Sequence, residues 1–280
     1  MDKITLGIVG QGFVGTAVRE GMWDHFPIQT YDRDPRKSTV DSLRALIDEC
    51  HIVFVCLPTP MRKSGECDIS ILESVLSEIN SFDMFKIVVI KSTIPPGTTD
   101  ALSKKYQNIE LAFNPEFLTE ANSINDYKNQ NRIIFGGGEE ATVILAHIFQ
   151  KVFPEADIIQ TSPTIAEMVK YVTNTFLSTK VSFANEMYDI CCGLGIDYDE
   201  VVDYAKFDDR LGNSHWAVPG PDGDRGYGGH CFPKDIAGLK FLANSVLGLD
   251  TIVLDAIIEK NDAVRQDRDW ERQTGRAVSE

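Results

Sequence analysis

Several things are scarce or missing across the 280 residues. No apolar run reaches about 20 residues, so no transmembrane helix is expected. There is no internal repeat and no low-complexity tract, which excludes solenoids and linker-rich chains. Histidine occurs 5 times, and the 6 cysteines form neither a CxxC pair nor a Cys/His zinc spacing, so no metal is expected. Cations are outnumbered, 27 Lys and Arg against 42 Asp and Glu, for a net charge of −15. That balance excludes non-specific nucleic-acid binding, which needs basic patches. An anionic ligand would have to find a locally positive pocket. The opening "MDKITLGIVG" has too short an apolar run for a secretory segment and leads directly into a strand pattern. A cytoplasmic protein without a disulfide framework is the expectation. Cys56, within "IVFVCLP", and Cys191 and Cys192, within a helical pattern, read as core; Cys231 stands apart.

Hydrophobic residues make up 43% of the chain and charged residues 25%, enough for a large core or two. Residues 4–10 read as a buried strand. "GQGFVG" follows, with Gly10, Gly12 and Gly15 at Gly-x-Gly-x-x-Gly spacing. A helix pattern to about His25 comes next, then the strand "IQTYD" ending at Asp32. Strand, glycine turn, helix, strand and acid together form the dinucleotide-binding fingerprint. Gly10 permits the turn, Gly12 lets a pyrophosphate approach the backbone, and Gly15 allows close helix–strand packing. The helix N-terminus brings its positive dipole end. Gly10, Gly12, Phe13, Val14, Gly15 and Asp32 are therefore candidate cofactor contacts. A carboxylate at 32 accepts ribose hydroxyls and repels a 2′-phosphate, so NAD is favoured over NADP. Arg33, Arg36 and Lys37 nearby pull the other way.

Further apolar runs, at 51–58, 86–93, 109–113, 132–136 and 156–160, alternate with helical spacers. Such runs predict a parallel sheet covered on both faces. The fold expected is α/β: an N-terminal Rossmann-type doubly wound sheet over 1–160, followed by an all-helical dimerisation domain over 161–280. The second part begins with one long helical pattern, which Ser162 or Thr164 can cap, with Thr164 and Glu167 in capping-box spacing. It closes with a connector-like helix over 249–266. The last dozen residues are polar and read as loose.

Lys170 and Asn174 are four apart on the long helix and share a face with Glu167. They are either a solvated stripe or a buried pair able to orient a hydroxyl and steady an alkoxide. Cys231 sits in "GYGGHCFPKD". Pro233 can open a helix there, with Asp235 in its first turn and its N-terminus aimed at the thiol. That setting, with a nearby lysine, lowers a thiol pKa. A thiolate beside a nicotinamide suggests aldehyde chemistry through a thioester. A buried, inert cysteine is the other reading.

Taken together, "GIVGQGFVG", "LPTPMRKSGECD", "KSTIPPGTT", "NPEFLTEAN", "AEMVKYVTNTF", "DDRLG" and "GYGGHCFPKD" resemble, in order, the motifs of the UDP-glucose/GDP-mannose dehydrogenase family. The resemblance covers nearly the whole chain. It implies NAD-dependent four-electron oxidation of a UDP-sugar C6 alcohol to the carboxylate. Cys231 is then the nucleophile, Lys170 and Asn174 stabilise the oxyanion, and Asp235 and Thr93 handle a water. Glu116 is the base for thioester hydrolysis. Pro58, Thr59, Thr93, Glu120 and Lys234 join the cofactor contacts. Phe117, Leu118, Lys170, Asn174, Arg210, Gly228 and Gly229 are implied on the substrate, with Arg210 reaching across a homodimer. Read on their own residues, Arg210 could equally be a surface ion pair, and Thr93 and Glu116 could be caps.

The resemblance is incomplete in two places. Family members continue into a third domain that grips the nucleotide, whereas this sequence stops after the connector-like helix. A short form lacking that domain is the expectation, with the loop 214–226 as a possible substitute. Trp216 in that loop either stacks on a base or packs. Second, His230 stands where glucose-specific members carry serine, so the UDP-sugar is left open. A two-electron β-hydroxyacid dehydrogenase, which needs no Cys231, and a non-catalytic NAD-binding module are the competing readings.

Overall fold

The computed structural model describes residues 4–279. The first compact unit comprises the chain up to Thr59 together with Ile69–Lys170; the second comprises Pro60–Asp68 and the chain from Tyr171 onward.

In the first unit the order is β1 (Leu6–Val9), α1 (Phe13–Met22), β2 (Ile28–Tyr31), α2 (Leu43–Glu49), β3 (Ile52–Val55), α3 (Ser70–Ser81), β4 (Ile87–Ile90), α4 (Thr98–Lys105), β5 (Glu110–Phe113), α5 (Ser123–Lys128), β6 (Arg132–Gly137), α6 (Glu139–Val152) and β7 (Asp157–Thr161). The seven strands form one sheet in the order β2-β1-β3-β4-β5-β6-β7. The five inner strands, β1 and β3 to β6, are apolar because both faces are covered, and alternate side chains enter different cores, whereas the edge strand β7 has no buried residue. Val9, Val53, Val55, Val88 and Ile90 pack with Leu46 of α2, Leu72 and Leu76 of α3 and Leu102 of α4. Leu6, Ile8, Ile52, Phe54 and Val89 pack with Val18 and Met22 of α1, Tyr127 of α5 and Phe149 of α6.

The all-parallel expectation fails at one seam. β5 and β6 pair antiparallel, and β6 and β7 are parallel to each other. A parallel neighbour requires a crossover that usually contains a full helix. The connection after β5 holds one 3-10 turn and the six-residue α5 instead. The chain can therefore turn back and form the edge of β6.

α7 (Pro163–Leu194) runs from the first unit into the second. There it is followed by α8 (Tyr198–Ala205), α9 (Phe232–Phe241), a π-turn at Leu242–Val246 and α10 (Ile252–Val264). Two small apolar clusters hold this unit. One joins Ala184, Cys191, Tyr198, Val202 and Val218, with Trp216 against it. The other joins Tyr227, Ile236 and Ile257. Cys191 is core as expected, but Cys192, the next residue around the helix, is exposed. The described residues of the last dozen are not loose. Met61 N–H donates to Ala277 O at 2.7 Å, Ser279 N–H donates to Met61 O at 2.9 Å, and Trp270 is buried. Among the described residues no helix is long and apolar enough to cross a membrane.

The expected capping box is replaced by something else. Ser162 Oγ accepts the Ile165 N–H at 3.4 Å, while Thr164 donates to Asp100. Glu167, fully buried, instead caps α4. Its carboxylate accepts Gly97 N–H at 2.6 Å, Thr99 N–H at 2.8 Å and the Thr99 hydroxyl at 2.6 Å. The loop carrying Thr93 is thereby fastened to α7, one turn before Lys170.

Burial pushes the Glu167 carboxyl up to about 7, against the pull of these donors. From its ordinary 4.5 up to about 7, the folded state keeps a proton that the unfolded chain has lost. Stability from this group is therefore complete below pH 4.5 and is lost as pH rises through 7. Between these limits wild type should lose up to about 3 kcal/mol relative to Glu167→Gln. Thermal melts of both proteins across that range check this, and parallel pH profiles would contradict it.

Candidate active site

The glycine turn is built as the fingerprint requires. Gly10 has φ +89°, and a Cβ there would lie 2.4 Å from Cys56 O. A Cβ on Gly15 would lie 1.9 Å from Gly10 O, so helix α1 can approach the strand only with glycine at 15. Over Gly12 there is open space, and no side chain caps α1. Phe13 and Val14 are half-buried at the start of that helix. Asp32 is held at the end of β2, accepting Gln11 N–H at 2.7 Å and Asp34 N–H at 2.8 Å. Asp34 in turn holds the Arg36 guanidinium at 2.8 Å. One of the three nearby cations is thus already paired with an acid. These features fit a dinucleotide of the NAD type.

Strand ends β3 and β4 bring two more predicted residues together. The Thr59 hydroxyl donates to Thr93 O at 2.6 Å, and both residues are buried. Pro58 and Glu120 are exposed.

Lys170 is 3% exposed and is no solvated stripe. Its Nζ donates to Glu116 Oε1 at 2.8 Å and to Glu116 O at 2.6 Å. The Phe117 ring lies 5.6 Å from the same ammonium, and Arg132 stacks on that ring at 4.4 Å. Leu118 N–H donates to Glu116 Oε2 at 2.9 Å. Burial would raise the Glu116 carboxyl, but the Lys170 ammonium, the Leu118 N–H and the Lys91 charge hold it below its ordinary value. Glu116 is therefore a carboxylate at neutral pH. It does not cap a helix, since α5 begins only at Ser123.

In the second unit, Cys231 is the N-cap residue of α9, with Pro233 inside the first turn. Asp235, buried, is fixed from two sides. Asn174 Nδ2 donates to its Oδ2 at 2.5 Å and Lys234 Nζ to its Oδ1 at 2.5 Å. Burial would lower the Lys234 ammonium, but the Asp235 carboxylate, and then the Cys67 and Cys231 thiols, hold it above its ordinary value. The second unit therefore places the N-terminus of α9 at the cysteine, with the Lys234–Asp235 ion pair close by.

The remaining predicted residues are placed as follows. Gly228 is half-buried, and a Cβ there would lie 2.2 Å from Arg265 Nη2 and 2.5 Å from Asp269 Oδ1. Gly229, at φ +69°, donates its N–H to both oxygens of Asp269 at 3.1 Å. Arg210 is 89% exposed in its side chain and pairs with Asp208. Trp216 packs: its Nε1 donates to Gly212 O, and Lys180 and Phe183 lie against its ring. Asp222 and Asp224 pair with Arg265.

Sequence reasoning passed over three groups. Lys91, the lysine ending the apolar strand "KIVVIK", is buried near Glu116. Asn261, mid-helix in α10, accepts Tyr227 N–H at 2.7 Å and donates to Tyr227 O at 3.1 Å. Arg265 and Asp269 complete that clamp. A charged residue closing an apolar run was the available signal for Lys91, whereas Asn261, flanked by Glu259, Lys260 and Asp262, gave none.

A doubly wound sheet with an open glycine turn and an acid after the second strand defines a Rossmann-type dinucleotide-binding protein. The chain belongs to the UDP-glucose/GDP-mannose dehydrogenase family: residues 36–156 match that family's NAD-binding domain and residues 164–263 its central domain. The family consists of NAD-dependent oxidoreductases. The chain is 32% identical over 241 residues to the UDP-glucose 6-dehydrogenase TuaD of Bacillus subtilis (strain 168), covering 83% of this chain and 50% of the relative. It thus spans about half the length of the curated relatives it matches. The UDP-glucose dehydrogenase of the hyperthermophilic archaeon Pyrobaculum islandicum superposes with TM-score 0.84 at 26% identity, over 93% of this chain and 68% of that one. Mycobacterium tuberculosis 3-hydroxyisobutyrate dehydrogenase shares the fold, at TM-score 0.74 and 15% identity over 92% of both chains.

Removing Lys170 leaves Glu116 buried without its main cation. Lys170→Met should cost about 3–5 kcal/mol, much of it recovered when Glu116→Gln is added. Urea unfolding of the two single variants and the double variant measures this coupling, and additive losses would refute it.

Proposed function

We propose that this chain oxidises the C6 alcohol of a UDP-sugar to the carboxylate, UDP-glucose to UDP-glucuronate in the first instance, through a thioester on Cys231. The observation that carries the reading is the placement of Cys231 at the N-terminus of α9, with Lys234 in electrostatic reach. Simple alcohol oxidation has no use for a thiol set there. Support also comes from the names of the relatives, which are UDP-glucose 6-dehydrogenases.

In this reading Gly10, Gly12, Phe13, Val14, Gly15, Asp32, Pro58, Thr59, Thr93, Glu120 and Lys234 hold the cofactor. Bound NAD supplies the hydride acceptor for each of two oxidations. Asp235, through a water steadied by Thr93, takes the hydroxyl proton as the alcohol becomes an aldehyde. Lys170 and Asn174 stabilise the oxygen as it gains charge. The Cys231 thiolate then adds to the aldehyde carbon, giving a thiohemiacetal. Loss of the second hydride from that carbon leaves the thioester. Glu116, already ionised, takes a proton from the attacking water. The C–S bond breaks, the thiolate leaves, and the sugar carboxylate is released. Phe117, Leu118, Gly228 and Gly229 are assigned to the substrate. Lys170 and Arg210 give an acidic chain the local positive charge that a sugar nucleotide needs.

We further assign the apolar stripe of α7 to a second copy of the chain, with Arg210 acting across the resulting homodimer. Val172, Phe176, Phe183, Ile190 and Leu194 recur along that helix and are exposed, Phe176 at 63%. A soluble surface rarely leaves such a stripe bare. Phe176→Glu with Phe183→Glu should convert the dimer to a monomer in sedimentation velocity. A wild-type protein that sediments as a monomer would remove this assignment.

Assays with a panel of UDP-sugars test the reaction. The expected yield is two NADH per sugar oxidised. Cys231→Ser should abolish carboxylate formation, and a variant that kept full four-electron turnover would overturn the mechanism. One NADH per substrate would favour the β-hydroxyacid type of dehydrogenase, for which the Lys170–Asn174 spacing speaks. Tight NAD binding without turnover would favour a binding module.

A further inference from the structure

Glu116 has two buried cations near it, and the reaction proposed above uses only one of them. Lys91 follows β4 and is 3% exposed. Its Nζ donates to Asn114 Oδ1 at 2.7 Å and to Asn114 O at 3.4 Å. Asn114 is itself held from β6, donating from Nδ2 to Ile134 O at 2.8 Å. Two residues further along, Glu116 takes the Lys170 ammonium on both its carboxylate and its carbonyl. Two ammonium groups and one carboxylate thus share one interior region of the first unit.

The titratable groups facing Lys91 come from four elements. They are Cys56 after β3, Glu116 after β5, Tyr127 on α5 and Lys170 on α7. The Tyr127 ring centre lies 5.8 Å from Nζ. Cys56 offers no counter-charge, because burial pushes its thiol up to about 12. Tyr127 offers none either, since burial holds its phenol well above the ordinary value. Glu116 is the one anion in this set. An ammonium is also a costly way merely to join β4 to Asn114, since a neutral donor would bridge the same amide without desolvating a charge.

Lys170 carries two duties in the proposed reaction. It must pair Glu116 while the site is at rest and stabilise the substrate oxyanion during oxidation. Whenever its ammonium turns to the oxyanion, Glu116 loses its principal cation, and burial then draws the carboxyl toward protonation. We propose that Lys91 is a positioning residue for Glu116, the second ammonium that keeps the carboxylate ionised when Lys170 is engaged elsewhere. This rests on the reading of Glu116 as general base. The pH windows agree with the role. Burial lowers the Lys91 ammonium to about 8, so it remains charged throughout the acidic range in which Glu116 could take up a proton.

The test reads ionisation directly. The full chain is labelled at the δ-carboxyl carbon of glutamate, the Glu116 resonance is assigned with Glu116→Gln, and its midpoint is followed by NMR. Lys91→Met should raise that midpoint by about one pH unit, and Lys91→Arg should leave it at the wild-type value. A folded Lys91→Met protein that titrates like wild type would overturn the proposal. Should Lys91→Met not fold, the coupling is read from the other side. Glu116→Gln must lower the Lys91 midpoint, assigned with Lys91→Arg, because the interaction free energy is reciprocal. An unmoved Lys91 midpoint would likewise overturn it. Neither titration involves NAD reduction. A catalytic Cys231→Ser variant would defeat the functional reading and leave this result standing, and an unshifted midpoint would do the reverse.

Discussion

A buried ammonium must be paired and hydrogen-bonded or give up its proton, and Lys170 meets that requirement with Glu116. The consequences run through the first unit. Glu116 can stay ionised in the interior because Lys170 is there. Phe117 and Leu118 are held close by, since a Leu118 N–H completes the carboxylate's coordination and Phe117 packs near the ammonium. α7 behaves in the same way over much of its length. Glu167, Lys170, Asn174 and Ser178 are buried, while Val172, Phe176 and Phe183 are exposed. This inverts the usual amphipathic rule, in which an apolar stripe faces the core. A helix of this kind is stable only if partners satisfy its polar side, and Glu167, Lys170 and Asn174 each find one with a charge or an oriented dipole.

The second unit solves a different problem. A loop with glycines at 226, 228 and 229 would be mobile if left alone, and a nucleophile at its end would be poorly placed. Asn261 reads the Tyr227 backbone from both sides, and Asp269 takes the Gly229 N–H. Arg265 links Asp222, Asp224 and Asp269. The glycines are needed because these side chains come too close to tolerate a Cβ at 226 or 228. In the proposed mechanism the clamp would fix the approach to Cys231, so residues far along the chain from the motif determine its geometry.

Much of this was legible in advance. Seven strand-like runs located seven strands, and for the five inner ones the reason is that strands buried on both faces cannot hide their composition. The fingerprint and the helix N-terminus at Cys231 followed from local spacing, while spacing put Lys170 and Asn174 on one face and left open whether that face was buried. Three kinds of information did not. Strand direction at the β5–β6 seam depends on how a connection folds, and "NPEFLTEANSINDYKNQ" carries no strong period. The partner of Glu167 is 68 residues away along the chain, so its local capping-box spacing misled. Lys91 falls within the run 86–93 that reads as a strand, and its burial depends on Asn114 arriving from the next strand.

Charge arithmetic links the two halves of the reading. A chain of net charge −15 that acts on a nucleotide-sugar, as proposed above, must concentrate positive charge locally, yet several of its cations are paired with neighbouring acids. Arg36 is tied to Asp34, Arg210 to Asp208, and Arg265 to three aspartates. The exposed pairs of Arg36 and Arg210 contribute little energy and little field, whereas the Arg265 side chain is buried among its acids. In the interior of the first unit the ratio is reversed, with Lys91 and Lys170 facing one carboxylate. An excess positive charge in a medium of low dielectric acts far more strongly than the same charge at the surface. Burial, more than the neighbouring charge, lowers the Lys91 ammonium toward neutrality, and the excess positive charge favours any ligand or reaction step that brings negative charge within reach. That is the demand an alcohol makes on its surroundings as it becomes an alkoxide, so the unusual cost of burying two lysines is intelligible if the chemistry happens beside them.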